Sequence, residues 1–261
     1  MRLVSFDPLR TLGVPGAHPL RPESFPDDPA TLAAVRAADW VLFPQTWQVN
    51  ALHYALGKRL FPSLASYHLG ASKVEMTRAF QTLVPTHVPE TLILRADAAG
   101  AATAAERFGF PLVVKEPRES MGRGVHKVES RRELEALLPE LEVLYAQELL
   151  LIARDLRIVW LGDRVLTAYW RLGGDGFRTN ISRGAEPSFV GIPPAALELV
   201  ARVAAALGID HAGFDVAMVG DHPYLFEFNT LFGTEVPNAA GVDLGAAIVE
   251  WLGRAPQDAA R

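Results

Sequence analysis

Asp215-Val-Ala-Met-Val-Gly-Asp-His-Pro-Tyr-Leu-Phe-Glu227-Phe-Asn229 reads as two short apolar strands joined by the tight turn Gly220-Asp221-His222-Pro223. Strand side chains alternate faces with period two, which predicts Leu225, Glu227 and Asn229 on one face and Tyr224, Phe226 and Phe228 on the other. Asp215 begins the partner strand. Carboxylates in an apolar setting are costly unless they are paired or hold a cation. Asp, Glu and Asn oxygens are hard ligands suited to Mg²⁺, so Asp215, Glu227 and Asn229 are candidate metal ligands. A Mg²⁺ held by one or two carboxylates and otherwise by nucleotide phosphates implies an enzyme that uses ATP.

The chain around this stretch has 261 residues, 49% of them hydrophobic, enough for a large core in one or two domains. A net charge of −5 gives no support to a nucleic-acid or membrane-surface partner. No cysteine is present, which excludes disulfides, thiolate zinc sites and thiol nucleophiles and fits a cytoplasmic protein. The start, Met1-Arg-Leu-Val-Ser-Phe-Asp, reads as a strand and not as a signal segment. No apolar run approaches the roughly 18 residues of a membrane helix. Lysine occurs only at Lys58, Lys73, Lys115 and Lys127, while arginine is used elsewhere. Such usage reflects codon bias, or marks places where a compact ammonium is needed.

Strand and helix signals alternate over residues 1–71, predicting a small parallel α/β domain. Leu3–Phe6 reads as a strand, 7–28 as a Pro- and Gly-rich loop, and 29–38 as a helix capped by Asp28. Trp40–Phe43 reads as a strand and 47–59 as a helix. Residues 72–150 read as a second α/β piece opened by a helix at 72–82, with strands at 91–95, 111–116, 124–128 and 143–148 and helices at 98–108 and 130–139. Residues 151–253 hold strands at 156–161 and 165–170, a loop at 173–187, a helix at 194–207 stopped by Gly208, the Asp215/Glu227 strand pair and a last helix at 243–253. Residues 254–261 read as a frayed tail.

Four more segments carry chemistry-bearing residues. Lys115 ends an apolar strand and precedes Arg118-Glu-Ser120-Met-Gly122-Arg-Gly124. Small residues let backbone N–H groups approach an anion, although an ordinary hairpin turn reads the same way. Gln147-Glu148-Leu149 ends a strand whose backbone suits an adenine edge, and an ordinary strand end reads identically. Asp155 and Arg157 share a strand face; they either pair with each other, or Asp155 meets a ribose hydroxyl while Arg157 faces an acceptor. The loop Gly173-Gly-Asp-Gly-Phe177-Arg178-Thr-Asn180-Ile-Ser-Arg183-Gly184 places Arg178 and Asn180 two apart, as a fork for phosphate or as a solvated loop.

Taken in order, Pro-Leu-Val-Val-Lys115, Phe177-Arg178-Thr-Asn180, Ala212-Gly-x-Asp215 and Glu227-x-Asn229 resemble the ATP-grasp fold, most closely its RimK-type carboxylate–amine ligases. The resemblance runs from Ser72 to Trp251. It implies an ATP-grasp fold of two α+β lobes (72–150 and 151–253) behind a truncated N-terminal domain. It implies further that Lys73 and Lys115 contact phosphates and that a loop carrying Ser120, Gly122 and Gly124 closes over them. Gln147, Glu148 and Leu149 would form the adenine hinge, Asp155 would contact the ribose, and Arg178 with Asn180 would bind the transferred phosphoryl group. Asp215, Glu227 and Asn229 would hold two Mg²⁺ ions, or Mn²⁺. Lys115 and Arg178 would be the catalytic cations. The reaction implied is ATP-dependent activation of a carboxylate as an acyl-phosphate and its capture by an amine, with small-molecule or peptide substrates. The same positions also suit a small-molecule kinase or a non-catalytic ATP-binding regulator. Family members are often dimers or tetramers, compatible with a homo-oligomer. Arg157, Arg171, Arg183 and Tyr67-His68 are candidates for the acceptor side. Thr230-Leu-Phe232-Gly233-Thr-Glu235 departs from the family's small residue, Pro and Gly after the metal motif.

Overall fold

In the computed structural model, residues 1–118, 124–172 and 186–256 are described, and they form a mixed α/β fold with three sheets. The first sheet is fully parallel, in the order β2-β1-β3-β4, from β1 (Leu3–Ser5), β2 (Ala17–Pro19), β3 (Trp40–Leu42) and β4 (Arg59–Phe61). Its crossovers are α1 (Pro29–Ala37) and α2 (Thr46–Asn50), the latter running into a π-helical turn at Ala51–Ala55. Asp28 caps α1 as its sequence position predicts, its carboxylate accepting from Thr31 N at 2.7 Å. Two expectations change here. The stretch 7–28 is not all loop: Ala17-His18-Pro19 adds a three-residue edge strand, too short and too exposed to show a pattern. The helix expected over 47–59 ends by Ala55; Arg59–Phe61 forms β4, and Ser63 caps a further helix, α3 (Leu64–Gly70).

Capped by Ser72, α4 (Lys73–Leu83) leads into the second sheet, which is antiparallel in the order β5-β8-β6-β7. Its strands are β5 (Thr91–Leu94), β6 (Leu112–Lys115), β7 (Val125–Val128) and β8 (Leu144–Glu148), covered by α5 (Ala98–Phe108) and α6 (Arg131–Leu137). Leu112, Val114, Leu144 and Ala146 pack on those helices. Alternation therefore turns Lys115, Tyr145 and Gln147 to the opposite face.

The third sheet, β11-β10-β9-β12-β13, is antiparallel: β9 (Arg154–Leu161), β10 (Arg164–Leu172), β11 (Glu186–Ser188), β12 (His211–Val219) and β13 (His222–Asn229). One face buries Leu156, Ile158, Phe214, Val216, Leu225 and Phe228 against α4 and α7 (Pro194–Leu207). Gly208 ends α7 with φ +68°, a left-handed stop that glycine adopts at no steric cost. Two more helices follow, α8 (Glu235–Ala239) and α9 (Leu244–Arg254). Gly245 of α9 lies so close to the 7–16 loop that a Cβ there would sit 1.7 Å from Gly13 O.

A β-bulge overturns the expected faces of β13. Asp215 pairs with Glu227, but the next residue, Val216, pairs with Leu225, which leaves Phe226 as the extra residue. Leu225 thereby joins Phe228 in the core and does not share the face of Glu227 and Asn229. The bulge is what allows Glu227 to stand opposite Asp215 while both flanking stretches keep their apolar residues inside.

Asp210 ties the third sheet to α3. Its carboxylate accepts from Ser63 N at 2.7 Å and from the Ser66 hydroxyl at 3.3 Å, while the Ser63 hydroxyl donates to Gly208 O at 2.7 Å. Burial pushes its pKa up to about 6, although the bonds from Ser63 and Ser66 pull the other way. Among the described residues, no helix is long and apolar enough to cross a membrane.

Two stability predictions follow from this packing. Phe80 is fully buried between α4 and β13, with its ring 6.3 Å from that of Phe228. Phe80→Ala is expected to cost about 3–5 kcal/mol in denaturant unfolding, whereas exposed Arg132→Ala stays within about 0.5 kcal/mol. Asp210 has a folded pKa above the unfolded value, so the native state holds its proton more tightly. Wild type therefore gains stability relative to Asp210→Asn as pH falls from about 6 toward 4, up to roughly 3 kcal/mol. Unfolding curves of both proteins across that window check the sign; a difference that grows with rising pH would refute it.

Candidate active site

Two lysines from one side and three carboxylates from the other meet between the second and third sheets. Lys73 is the first residue of α4, placed there by the Ser72 cap and by its own N–H donating to Pro117 O at 2.8 Å. Its ammonium lies 3.4 Å from Glu227 Oε2. Lys115 ends β6 on the face turned from the helices, with its ammonium 5.9 Å from the centre of the Tyr145 ring and 5.1 Å from that of Phe226. The bulged residue thus supplies one aromatic wall for the lysine. Burial lowers the Lys115 pKa to about 8, with Glu227 opposing that shift and Lys73 adding to it. Burial raises the Glu227 pKa, but Lys73, Lys115 and the Asn229 amide outweigh it and hold the carboxyl below its ordinary value.

Arginines surround the remaining carboxylates. Arg157 of β9 places Nε 2.9 Å from Asp215 Oδ1 and donates from another nitrogen to Gly213 O at 2.9 Å. Arg171 of β10 forks onto Asp155, with Nε donating to Oδ1 at 2.7 Å, and also reaches within 3.2 Å of Asp215 Oδ1. Of the two readings of Asp155 and Arg157, their pairing with each other is not formed: register sets Asp155 opposite Arg171 and Arg157 opposite Asp215, and each pairs across strands. Despite its two close cations, Asp215 Oδ1 makes no hydrogen bond of good geometry. Burial pushes the Asp215 carboxyl up while Arg157 and Arg171 pull it down. Burial disfavours the Arg171 charge, but Asp215 and Asp155 outweigh that and raise its pKa above the ordinary value.

Asp215 and Glu227 face each other across β12 and β13, and Asn229 donates its amide to Glu227 Oε1 at 3.3 Å. A buried carboxylate oxygen that is ion-paired but not hydrogen-bonded, beside a second carboxylate and an amide, is a donor set that fits a hard divalent cation. Among the described residues no three His, Cys, Asp or Glu side chains converge as a metal cage; the chain's own cations now occupy these carboxylates.

Other sequence candidates land differently. Gln147 donates its amide to the Thr91 hydroxyl at 2.7 Å, and Glu148 accepts from Glu90 N at 2.6 Å. Both side chains are thus engaged with β5 and its approach. Tyr67 belongs to the core under the first sheet and donates to Pro44 O, and His68 pairs with Asn50, so neither joins this cluster. Gly124 lies at the start of β7 with φ +61°. Ser120, Gly122, Arg178, Asn180 and Arg183 lie outside the described residues. Sequence reasoning missed Thr77, whose hydroxyl bonds to that of Tyr145 at 2.7 Å; its place one turn after Lys73 was the available signal. The wall-forming role of Phe226 was also missed, since a bulge sets it beside Lys115.

Arg171→Met leaves Asp155 buried without its partner and is expected to cost about 3–5 kcal/mol. Adding Asp155→Leu recovers part of that loss, measured as a coupling in a double-mutant cycle of urea unfolding. Strict additivity would contradict the pairing.

A family profile described as the RimK-like ATP-grasp domain matches residues 76–252. A probable alpha-L-glutamate ligase of Citrobacter koseri is 34% identical over 154 residues, covering 56% of this chain and 51% of the relative. A ribosomal protein bS6–L-glutamate ligase of Escherichia coli is 31% identical over the same length and coverage. The chain therefore spans about half the length of the curated relatives it matches. A crystal structure of a RimK domain ATP-grasp protein from Sphaerobacter thermophilus superposes with a TM-score of 0.74 at 19% identity, covering 96% of this chain and 99% of that one, which shows a shared fold.

Proposed function

Because the chain belongs to the RimK-like ATP-grasp family, we propose that it is an ATP- and Mg²⁺-dependent ligase joining a carboxylate to an amine through an acyl-phosphate. The observation that carries this reading is the Lys73–Glu227 contact at 3.4 Å, which brings the phosphate-suited lysines and the metal-suited carboxylates into one cleft. Four cations (Lys73, Lys115, Arg157 and Arg171) meet three carboxylates (Asp155, Asp215 and Glu227), so the described cluster carries a net positive charge suited to a polyphosphate.

On this reading, Lys73 and Lys115 bind and orient the phosphates of ATP. Asp215, Glu227 and Asn229 hold Mg²⁺, which supplies charge neutralisation for phosphoryl transfer. Thr77 and Tyr145 brace the wall behind Lys115. Backbone groups near Leu149 take the adenine edge, and Arg178 and Asn180 address the transferred group. A substrate carboxylate oxygen attacks the γ-phosphorus as the bond to ADP breaks. The amine then attacks the acyl carbon, and phosphate leaves with the carboxylate oxygen. No side-chain nucleophile is required; positioning and charge neutralisation are the enzyme's contribution. The relatives' names specify L-glutamate and, for one, a ribosomal protein. We carry over the class alone: an amino acid joined to a peptide or protein.

Phosphate release from Mg-ATP, measured against pooled amino acids, peptides and carboxylic acids, tests the proposal. One pool is expected to stimulate release and to yield an amide by mass spectrometry. Glu227→Gln is expected to cut that rate by about 100-fold or more. A phosphorylated product without an amide, or stimulation that survives Glu227→Gln, would overturn the ligase reading.

A further inference from the structure

The segment that follows the candidate metal ligands, Thr230-Leu231-Phe232, is held from outside its own strand. Thr230 comes directly after β13, so its carbonyl lies beyond the ladder pairs. His211, on the same strand as Asp215, donates to that carbonyl from Nδ1 at 3.0 Å. Its ring also stacks on Phe232, with the centroids 4.8 Å apart and the planes at 27°. The Thr230 hydroxyl donates to Ser66 O of α3 at 3.0 Å, and Arg10 Nη1 donates to Phe232 O at 3.4 Å. The His211 ring further meets Phe43 and Phe61 edge to face, at 5.4 and 5.2 Å, from the ends of β3 and β4. Among the described residues Phe43 is the one non-glycine with a left-handed backbone (φ +44°), a conformation that a bulky side chain rarely adopts.

His211 is fully buried, and burial holds its pKa down to about 3, so the ring is neutral. A carbonyl accepts only from an N–H, which puts the one ring proton on Nδ1 and leaves Nε2 with a bare lone pair. Nε2 is buried without a hydrogen-bond partner. A phenylalanine would keep the aromatic contacts without that penalty, so what sets histidine apart at this position is its bond to Thr230 O. That bond bears on the candidate metal ligands by two short routes. Thr230 follows Asn229 directly in the chain. Phe232 lies beside Arg157 because Gly213 has no side chain: a Cβ there would sit 3.0 Å from Phe232 Cβ and 2.5 Å from Arg157 Nη1. Arg157 in turn pairs with Asp215.

We propose that His211 is a positioning residue of the cleft: through Nδ1–H and its stack on Phe232 it fixes the segment after Asn229, and with it the setting of Asn229, Glu227 and Asp215 for a divalent cation. This role rests on the reading of those three residues as metal ligands.

The probe is Mn²⁺, titrated into the full chain saturated with ADP and followed by electron paramagnetic resonance, beside urea unfolding of each variant. His211→Asn places an amide donor where Nδ1 stood but loses the ring, whereas His211→Phe keeps the ring and loses the donor. Removing the ring from its three aromatic contacts is expected to make His211→Asn the less stable of the two. Mn²⁺ affinity is expected to run in the opposite order, weakened about tenfold or more in His211→Phe and staying within about threefold of wild type in His211→Asn. A residue that only packed would give the same order in both measurements. Arg10→Met, on a partly exposed loop, removes a second hold on the segment and is expected to weaken Mn²⁺ about threefold or more, although the loss of a positive charge by itself would strengthen cation binding. It decides the outcome if neither His211 variant folds. Wild type that takes up no Mn²⁺ with ADP would overturn the metal reading and this role with it. Wild-type affinity in His211→Phe, weaker binding in His211→Asn than in His211→Phe, or, where neither folds, undiminished binding in Arg10→Met would overturn the positioning role alone.

Discussion

Seven charged side chains are buried or nearly so between the second and third sheets, and the fold around them depends on their mutual compensation. Asp155, Asp215 and Glu227 stand on strands whose other faces pack Leu156, Ile158, Phe214, Val216, Leu225 and Phe228 into the core. Moving a carboxylate out of water costs several kcal/mol unless a cation comes with it. Here the cations come from three places: Lys73 from the start of a helix, Lys115 from the end of a strand in the opposing sheet, and Arg157 with Arg171 from neighbouring strands. Such a network contributes little net stability over an apolar core of the same shape, yet removing one member leaves another stranded. It therefore ties the two sheets to one relative placement, and that placement forms the cleft.

The bulge at Phe226 is the local device that makes this compatible with a packed core. Without it, strict alternation puts Leu225 on the same face as Glu227, and either the leucine leaves the core or the carboxylate enters it. One extra residue lets both Leu225 and Phe228 pack inward and leaves Phe226 beside Lys115. The cost is one unpaired position in the ladder, a pattern common next to active sites.

How much of this is legible in the sequence depends on the range of the interaction. The helix Ala98–Phe108 and its Asp97 cap, α7 with its Gly208 stop, and α4 with its Ser72 cap are local features set by capping chemistry and composition, and they are readable directly. Three-residue strands such as β2 and β4 carry too few side chains to show a period, and they form because β1 and β3 offer edges to pair with. The meeting of Lys73 with Glu227 joins residues 154 positions apart. Their residue types hint at shared chemistry, but no spacing rule predicts the contact. Asp155 and Arg157 show the failure most clearly: they sit two apart on one strand face, a reasonable pair by spacing, yet the antiparallel register gives each a better-placed partner on the adjacent strand.

On the proposed function, the ligand-free pairings bear on how substrates enter. Mg²⁺ arriving alone at Asp215 meets Arg157 and Arg171, and a polyphosphate arriving alone at Lys73 meets Glu227; each faces a like charge at close range. Were both to bind together, Asp215 and Glu227 would hold the metal, and Lys73, Lys115, Arg157 and Arg171 would be free to neutralise the phosphates. On that reading the chain's cations would act as placeholders that keep the carboxylates charged and oriented, and the close opposition of Asp215 and Glu227 across β12 and β13, with the arginines that flank them, would favour the neutralised metal–nucleotide pair over either component.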